Sequence, residues 1–178
     1  MFTHALGEGA ELRPLEPWQA EEFAAHVLKV ADQISPYIPW AKKIVDVDGA
    51  RELLQLYADK QAVDARRMYG IWLDGVLVGG TVFRTFDAEL GVCEIGVWLA
   101  ADARGRGLVT TAARHMIDWA VNVRGIERVE WWCVPENEPS RAAAKRIGFT
   151  YEGTLRSAAV LEGRRYDLEV WSLLKDEL

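Results

Sequence analysis

The segment from Cys93 to Thr111, CEIGVWLAADARGRGLVTT, constrains the fold of this chain more than any other. Residues Cys93 to Leu99 are strand formers interrupted by one acid, Glu94. Alternation sets Cys93, Ile95, Val97 and Leu99 on one face and Glu94, Gly96 and Trp98 on the other. From Leu108 the period changes, and Val109, Ala112, Ala113, Met116, Ile117 and Ala120 fall on one helical stripe. Between the two lies Arg104-Gly105-Arg106-Gly107, whose glycines allow conformations and close approaches that a side chain blocks. Amides at a helix start have no acceptors within the helix, and the dipole there favours negative charge. Strand, Gly-rich loop and helix start, in that order, suit a phosphate group.

Three readings of the loop stand side by side. A tight connection alone accounts for an isolated G-x-G. A dinucleotide fingerprint wants a third glycine where Thr110 stands, and an acid at the end of the next strand, which Val129 to Val134 lacks. The third, a clamp for the pyrophosphate of coenzyme A, comes with a family resemblance.

The pattern R-x-x-G-x-(A/G), following a strand that reads E-I-G-x-W-L, resembles the GNAT N-acetyltransferases, and among them the ribosomal-protein N-terminal (RimL-type) branch. The resemblance continues in Asn137-Glu138-Pro139-Ser140, in Lys145-Arg146-Ile147-Gly148-Phe149, in Glu152-Gly153-Thr154-Leu155-Arg156 and in Gly163-Arg164-Arg165-Tyr166-Asp167. It covers nearly the whole chain in the family's order. Val109 stands where the family has Ala or Gly; backbone amides hold the phosphates, so its side chain has to point into the core.

The family likeness implies an acetyl-CoA site. Arg104, Gly105, Arg106, Gly107, Val109 and Thr110 would hold the pyrophosphate. The backbone of Val97, Trp98 and Leu99 would pair with the pantetheine arm where two parallel strands splay, and an amide there would face the developing oxyanion. Asn137 would bond the pantetheine and Ser140 approach the sulfur. Many members carry a tyrosine acid where Ala144 stands, and RimL-type relatives a glutamate where Ala159 stands. A thiolate leaving group of pKa near ~8.5 needs little help, so Ser140 is assigned hydrogen-bond stabilisation or water relay rather than acid catalysis.

The residues also suggest a base. A protein α-amine has pKa near ~8, so a modest base suffices at neutral pH. Glu94, an acid in an otherwise apolar strand, is the candidate; a solvated edge charge or a pair with Arg84 are the structural alternatives. His4, His26 and His115 form no nucleophile pattern, and His115 with Asp118 suits a surface better than a dyad. No metal-ligand spacing occurs.

A chain of 178 residues, half of them apolar, suffices for one domain, 1–178, with a full core. The net charge of −6, with no basic stripe, argues against direct nucleic-acid binding and suits a basic partner such as a protein terminus. Cys93 and Cys133 sit in apolar strand patterns and read as reduced thiols of a cytoplasmic protein. No apolar run reaches membrane-spanning length, and Met1 to Arg13 has no signal-peptide core. Without one, the closing Lys175-Asp176-Glu177-Leu178 is a coincidental retrieval signal.

In chain order, Glu11 to Leu15 reads as a strand, and a helix from Glu16 carries Phe23, Val27, Leu28 and Val30. Ser35 to Trp40 breaks that helix with two prolines. Asp48 to Ala62 is a second helix, with Leu53, Leu54, Leu56 and Tyr57 on its apolar side. The elbow between them resembles the family's substrate lip, which makes Tyr37 and Trp40 substrate candidates; the alternative is that they plug the core edge. Asp74-Gly75 between apolar runs signals a hairpin. After the helix Gly107 to Arg124, the strand Val129 to Val134 pairs in parallel. A helix Pro139 to Ile147 follows, then a closing hairpin, Phe149 to Arg156 and Tyr166 to Leu174, with a longer connection.

The expected fold is α/β (α+β): one mixed, mostly antiparallel sheet of about seven strands, helices on both faces and a central splayed parallel pair. The expected activity is direct acetyl transfer from acetyl-CoA to a primary amine, with no metal and no membrane, by a monomer or homodimer. The acceptor is a protein N-terminus or, alternatively, a small-molecule amine; a non-catalytic acyl-CoA-binding module is the rival outside enzymes. Arg156, Arg164 and Arg165 would make the hairpin wall basic unless Glu152 and Glu162 neutralise them.

Overall fold

The computed structural model describes residues 3–7, 9–161 and 163–178. A short hairpin, β1 (His4–Gly7) and β2 (Ala10–Pro14), precedes two helices, α1 (Ala20–Ile34) and α2 (Val47–Ala62). A meander follows: β3 (Arg67–Leu73), β4 (Val76–Asp87) and β5 (Val92–Leu99). Then come α3 (Leu108–Asp118), β6 (Arg128–Cys133), α4 (Glu138–Ile147) and the closing hairpin β7 (Thr150–Leu161) and β8 (Arg164–Leu174). The strands form one sheet in the order β1-β2-β3-β4-β5-β6-β8-β7. Only β5 and β6 pair in parallel among the described strands.

Two apolar layers sandwich the sheet. On one face Phe23, Val27 and Val30 of α1 and Ala50, Leu54 and Tyr57 of α2 bury against Met68, Trp72, Val82 and Trp98. On the other, Leu108, Ala112, Met116 and Ile117 of α3 and Ala143, Ala144 and Ile147 of α4 cover Ile71, Phe83, Ile95, Val129 and Trp131. Strand alternation distributes the side chains between the layers: Ile95 goes to the α3 side and Trp98 to the α1 side, as the pattern of Cys93 to Leu99 requires. The Asp74-Gly75 turn has φ of 51° and 78°, the left-handed pair that a two-residue hairpin demands. Asn137 caps α4, and Gly148, at φ 118°, ends it.

The structure corrects four expectations. Among the described residues the sheet has eight strands rather than about seven, because His4–Gly7 adds an edge strand. That strand buries only Leu6, so it has no apolar alternation to announce it. Leu28 and Leu56 face solvent, at 51% and 43% exposure, instead of packing. The closing hairpin is tight: its strands run to Leu161 and Arg164, and an irregularity between Leu155 and Ala159, where Ser157 takes φ 56°, absorbs the slack. Helix α3 ends in a π turn, Trp119–Val123, that the helical repeat of Gly107 to Arg124 concealed.

Candidate functional site

The site begins where two strands part. β5 and β6 are paired through Val92↔Arg128, Cys93↔Val129 and Glu94↔Glu130, and pairing stops there. β5 continues to Leu99, bound on its other side to β4 through Thr81↔Val97, Gly80↔Trp98 and Gly79↔Leu99. The edge of β5 from Ile95 to Leu99 that faces β6 therefore has backbone groups with no strand partner. Such a stretch takes an extended ligand as it would take another strand. Close packing fixes β5 on the β4 side: a Cβ on Gly80 would lie 2.2 Å from the Trp98 ring and 2.4 Å from the Tyr69 carbonyl oxygen.

The free edge leads to the start of α3. Arg104, Gly105, Arg106 and Gly107 are all exposed. Gly105 and Gly107 have φ of 80° and 74°, and a Cβ on either would meet nothing within 4 Å. Their role is thus backbone shape at an open concavity. Gly107 has no side-chain cap to offer, and the first intrahelical bond runs from Thr111 N–H to Gly107 O. The amides ahead of Thr111 are left without helical acceptors. Arg104 and Arg106 make no ion pair among the described residues. Val109 packs against the α3-side core, so its branched side chain leaves the loop's outer face clear, and Thr110 is half-buried beside it.

Glu94 lies at the apex of the parting strands and is 8% exposed. Its partner is Arg84, the residue set out of register between Phe83↔Ile95 and Thr85↔Glu94. The bulge aims this guanidinium across the strands. Arg84 Nη1 lies 3.0 Å from Glu94 Oε1, an ion-pair distance without an aligned hydrogen bond. The structural alternative for Glu94 is therefore present in the fold. Burial raises the Glu94 pKa, Arg84 opposes that, and the neighbouring Glu130 adds to it.

Asn137 and Ser140 stand at the start of α4, across the gap from β5. Asn137 Oδ1 accepts from Ser140 N–H at 3.2 Å, which leaves the amide NH₂ of Asn137 to donate elsewhere. The Ser140 hydroxyl accepts from the Trp131 indole N–H at 2.9 Å. Its own hydrogen can therefore be donated onward, and the Cys133 sulfur is one acceptor within its reach. Burial pushes the Cys93 and Cys133 thiols up to about 12 and about 11, so both stay protonated.

The elbow closes the site from the α1 side. Tyr37 is exposed and donates its hydroxyl to the Glu136 carbonyl at 3.3 Å, tying the elbow to the loop before α4. Trp40 is half-buried, edge-on to Trp98 with ring centroids 5.4 Å apart and tilted on Phe23 at 5.8 Å. Trp98 is held in turn by its indole N–H, which donates to His26 Nε2 at 3.3 Å. Burial lowers the His26 pKa to about 4, so that nitrogen is available as an acceptor at neutral pH. Trp40 thus both plugs the core edge and presents surface.

On the closing hairpin, Arg156, Arg164 and Arg165 are exposed. Arg165 donates to the Ser157 carbonyl at 2.9 Å, and Arg164 stacks over Tyr166. Glu152 does not neutralise them, because it takes two bonds from Arg128, at 2.7 and 2.5 Å. Glu162 lies outside the described residues. His115 stacks on His4 at 3.5 Å, and Asp118 accepts from Asn122 instead of joining it. No three metal-ligating side chains cluster among the described residues.

Sequence patterning missed two participants at this site. Glu130 alternates on the polar face of β6 and resembles any solvated strand acid; only the register sets it beside Glu94. His26 reads as one polar residue in an amphipathic helix, and only α1 packing brings it to Trp98.

A mixed sheet with one parting parallel pair, ending at an uncapped helix start, defines an acyltransferase of the coenzyme A-binding kind, and the chain belongs to the acetyltransferase (GNAT) domain family, whose model matches residues 10–150. Among its relatives is YdaF of Bacillus subtilis, a provisionally assigned ribosomal N-acetyltransferase, 32% identical over 99% of this chain and 97% of its own length. Two solved structures share the fold. RimL, the ribosomal L7/L12 alpha-N-protein acetyltransferase with coenzyme A, has a TM-score of 0.91 at 22% identity, over 99% of both chains. The Salmonella typhimurium enzyme that modifies the N-terminal serine of L7/L12 has a TM-score of 0.89 at 20% identity, over 97% of this chain and 98% of its own.

Proposed function

We propose that residues 1–178 act as a single N-acetyltransferase domain that moves the acetyl group of acetyl-CoA directly to the α-amine of a protein N-terminus, with a ribosomal protein as the acceptor class. The observation that carries this reading is the unpaired edge of β5 beyond Glu94↔Glu130, which runs toward the open, uncapped start of α3. Coenzyme A fits these residues. The amides at Gly107, Leu108, Val109 and Thr110, with Arg104 and Arg106 beside them, would hold its pyrophosphate, and nothing near Gly105 or Gly107 obstructs that approach. The backbone of Val97, Trp98 and Leu99 would pair with its arm, and the Asn137 amide would bond it. Bound acetyl-CoA supplies an activated thioester.

The remaining chemistry falls to the chain. A β5 amide steadies negative charge on the carbonyl oxygen, and loss of one such donor typically costs ~3 kcal/mol. Glu94 accepts a proton from the incoming ammonium, and Ser140 donates a hydrogen bond to the leaving sulfur. Tyr37 and Trp40 form one wall for the acceptor and the arginines of β7 and β8 the other. That second wall repels a highly cationic small molecule, which favours a peptide over a polyamine or aminoglycoside. The names of YdaF and RimL point the same way.

The test is thiol release from acetyl-CoA across peptide and small-amine panels. Peptides with small first residues are expected to be turned over best. Preferred turnover of an aminoglycoside would move the assignment to small-molecule acetylation, and absence of acetyl-CoA binding would end it.

A further inference from the structure

We infer that Glu130 is a positioning residue for this reaction: fixed beside Glu94 at the last paired step of β5 and β6, it keeps Glu94 a stronger proton acceptor than its ion pair with Arg84 alone would allow. The inference rests on the reading of Glu94 as the proton acceptor.

The argument is geometric. In a parallel pair, register partners lie about 4.8 Å apart with their side chains on the same face. Glu94 and Glu130 are such partners, and the strands separate immediately after them. Two carboxylates therefore stand abreast where the free edge begins. They are not equivalent. Glu130 has both oxygens engaged: Oε1 accepts from Arg128 Nε at 2.7 Å and Oε2 from Trp132 Nε1 at 3.0 Å. Those bonds fix the direction of its carboxylate. Glu94 has no hydrogen bond among the described residues, only the unaligned contact with Arg84. Of the two, Glu94 is thus the one free to take a proton.

Other charged and titratable groups also face Glu94. Arg84 on β4 and Arg66, just before β3, favour its ionised form. Tyr57 of α2 is buried close by and stays neutral. Arg128, which also faces this side, is neutralised between Glu130 and Glu152. Without Glu130, burial alone would oppose the two arginines. With it, a negative charge fixed in place adds to burial and strengthens Glu94 as a base, while Arg84 still orients the group. The proton balance is simple: the N–H bond of the acceptor's ammonium breaks, a Glu94 O–H bond forms, and a neutral amine remains.

The experiment is kcat/KM against pH for the full chain, with acetyl-CoA and an N-terminal peptide, in wild type, Glu130→Gln, Glu130→Asp and Glu94→Gln. Removing the Glu130 charge lowers the Glu94 pKa, so more Glu94 is ionised at acid pH. The ratio of kcat/KM at pH 6 to that at pH 8 should then rise in Glu130→Gln above the wild-type ratio, even as absolute turnover falls. Glu130→Asp, which keeps the charge, should stay close to wild type, and Glu94→Gln should lose activity chiefly at low pH. Should Glu130→Gln fail to fold, Glu130→Ser is read in its place. An unmoved ratio in the neutral Glu130 variants, with the low-pH loss intact in Glu94→Gln, overturns the role of Glu130 and leaves Glu94 as the base. An unchanged profile in Glu94→Gln overturns the base itself and the inference with it.

Discussion

Trp40 and Glu94 show how one side chain can serve core and site together. Trp40 leans its edge on Trp98, which His26 holds from behind, and leaves the remainder open at the elbow. Trp40→Ala should therefore raise the KM for a peptide acceptor about tenfold, the loss of ~1–2 kcal/mol expected of one aromatic wall. Acetyl-CoA affinity, measured by calorimetry, should stay unchanged, because the groups assigned to the cofactor on β5 and at the start of α3 are backbone amides and carbonyls rather than the Trp40 ring. Indifference of peptide KM to the substitution would remove Trp40 from the acceptor wall. Glu94 was legible as a candidate because an acid in an apolar strand is costly without a purpose or a partner. It has the partner, Arg84. Which neighbours bear on it depends on register and on a bulge, and neither leaves a mark in local composition.

Among the elements, the Gly-rich loop and β4 make a contrasting pair. Both rely on glycine, for opposite reasons. At Gly107 space is open and only the left-handed φ of 74° is demanding. Gly107→Glu should cost ~1–2 kcal/mol of backbone strain, leave the fold intact, and abolish acetyl-CoA binding by setting a carboxylate at an anion cradle. Circular dichroism with calorimetry separates the two effects. At Gly80 the space is taken, and an added Cβ would run into Trp98 and the Tyr69 carbonyl. Gly80→Ala should lower stability by ~1–3 kcal/mol in urea melts, as overpacking does. The loop glycines could be read from sequence because strand, loop and helix lie consecutively. The Gly79-Gly80 contact could not, since β5 arrives from later in the chain.

Across the whole molecule, Asp64 joins elements that are distant in sequence. Its carboxylate pairs with Arg67 at the start of β3 and with Arg124 after the π turn, and both guanidinium groups lie over Phe86 and Trp119. The hydrogen bond from Arg124 holds the Asp64 pKa down, from 3.8 to about 2; burial opposes it, and Arg67 adds a weaker lowering effect. A depressed folded-state pKa stabilises the fold above the unfolded value, and that contribution fades as pH falls toward about 2. The side chain is 36% exposed, so solvent screening keeps the effect modest. Asp64→Asn, at a left-handed φ of 60° that asparagine tolerates, should be less stable than wild type at pH 5. The gap should narrow steadily as pH falls from about 4 toward about 2 in urea melts; a gap independent of pH would assign the effect to packing. What the sequence determined by itself was local and periodic: the start of α3, the extent of α4, the Asp74-Gly75 hairpin, the face assignments of β5 and the phosphate-type loop. These follow from backbone sterics and repeat lengths of a few residues. Tertiary structure alone decided the edge strand β1, the tight β7–β8 connection, the bulge that aims Arg84, and the pairing of Glu94 with Glu130 at the point where β5 and β6 separate. Each depends on which residues lie opposite one another across the sheet, and that is set by packing of the two apolar layers rather than by any neighbour in the chain.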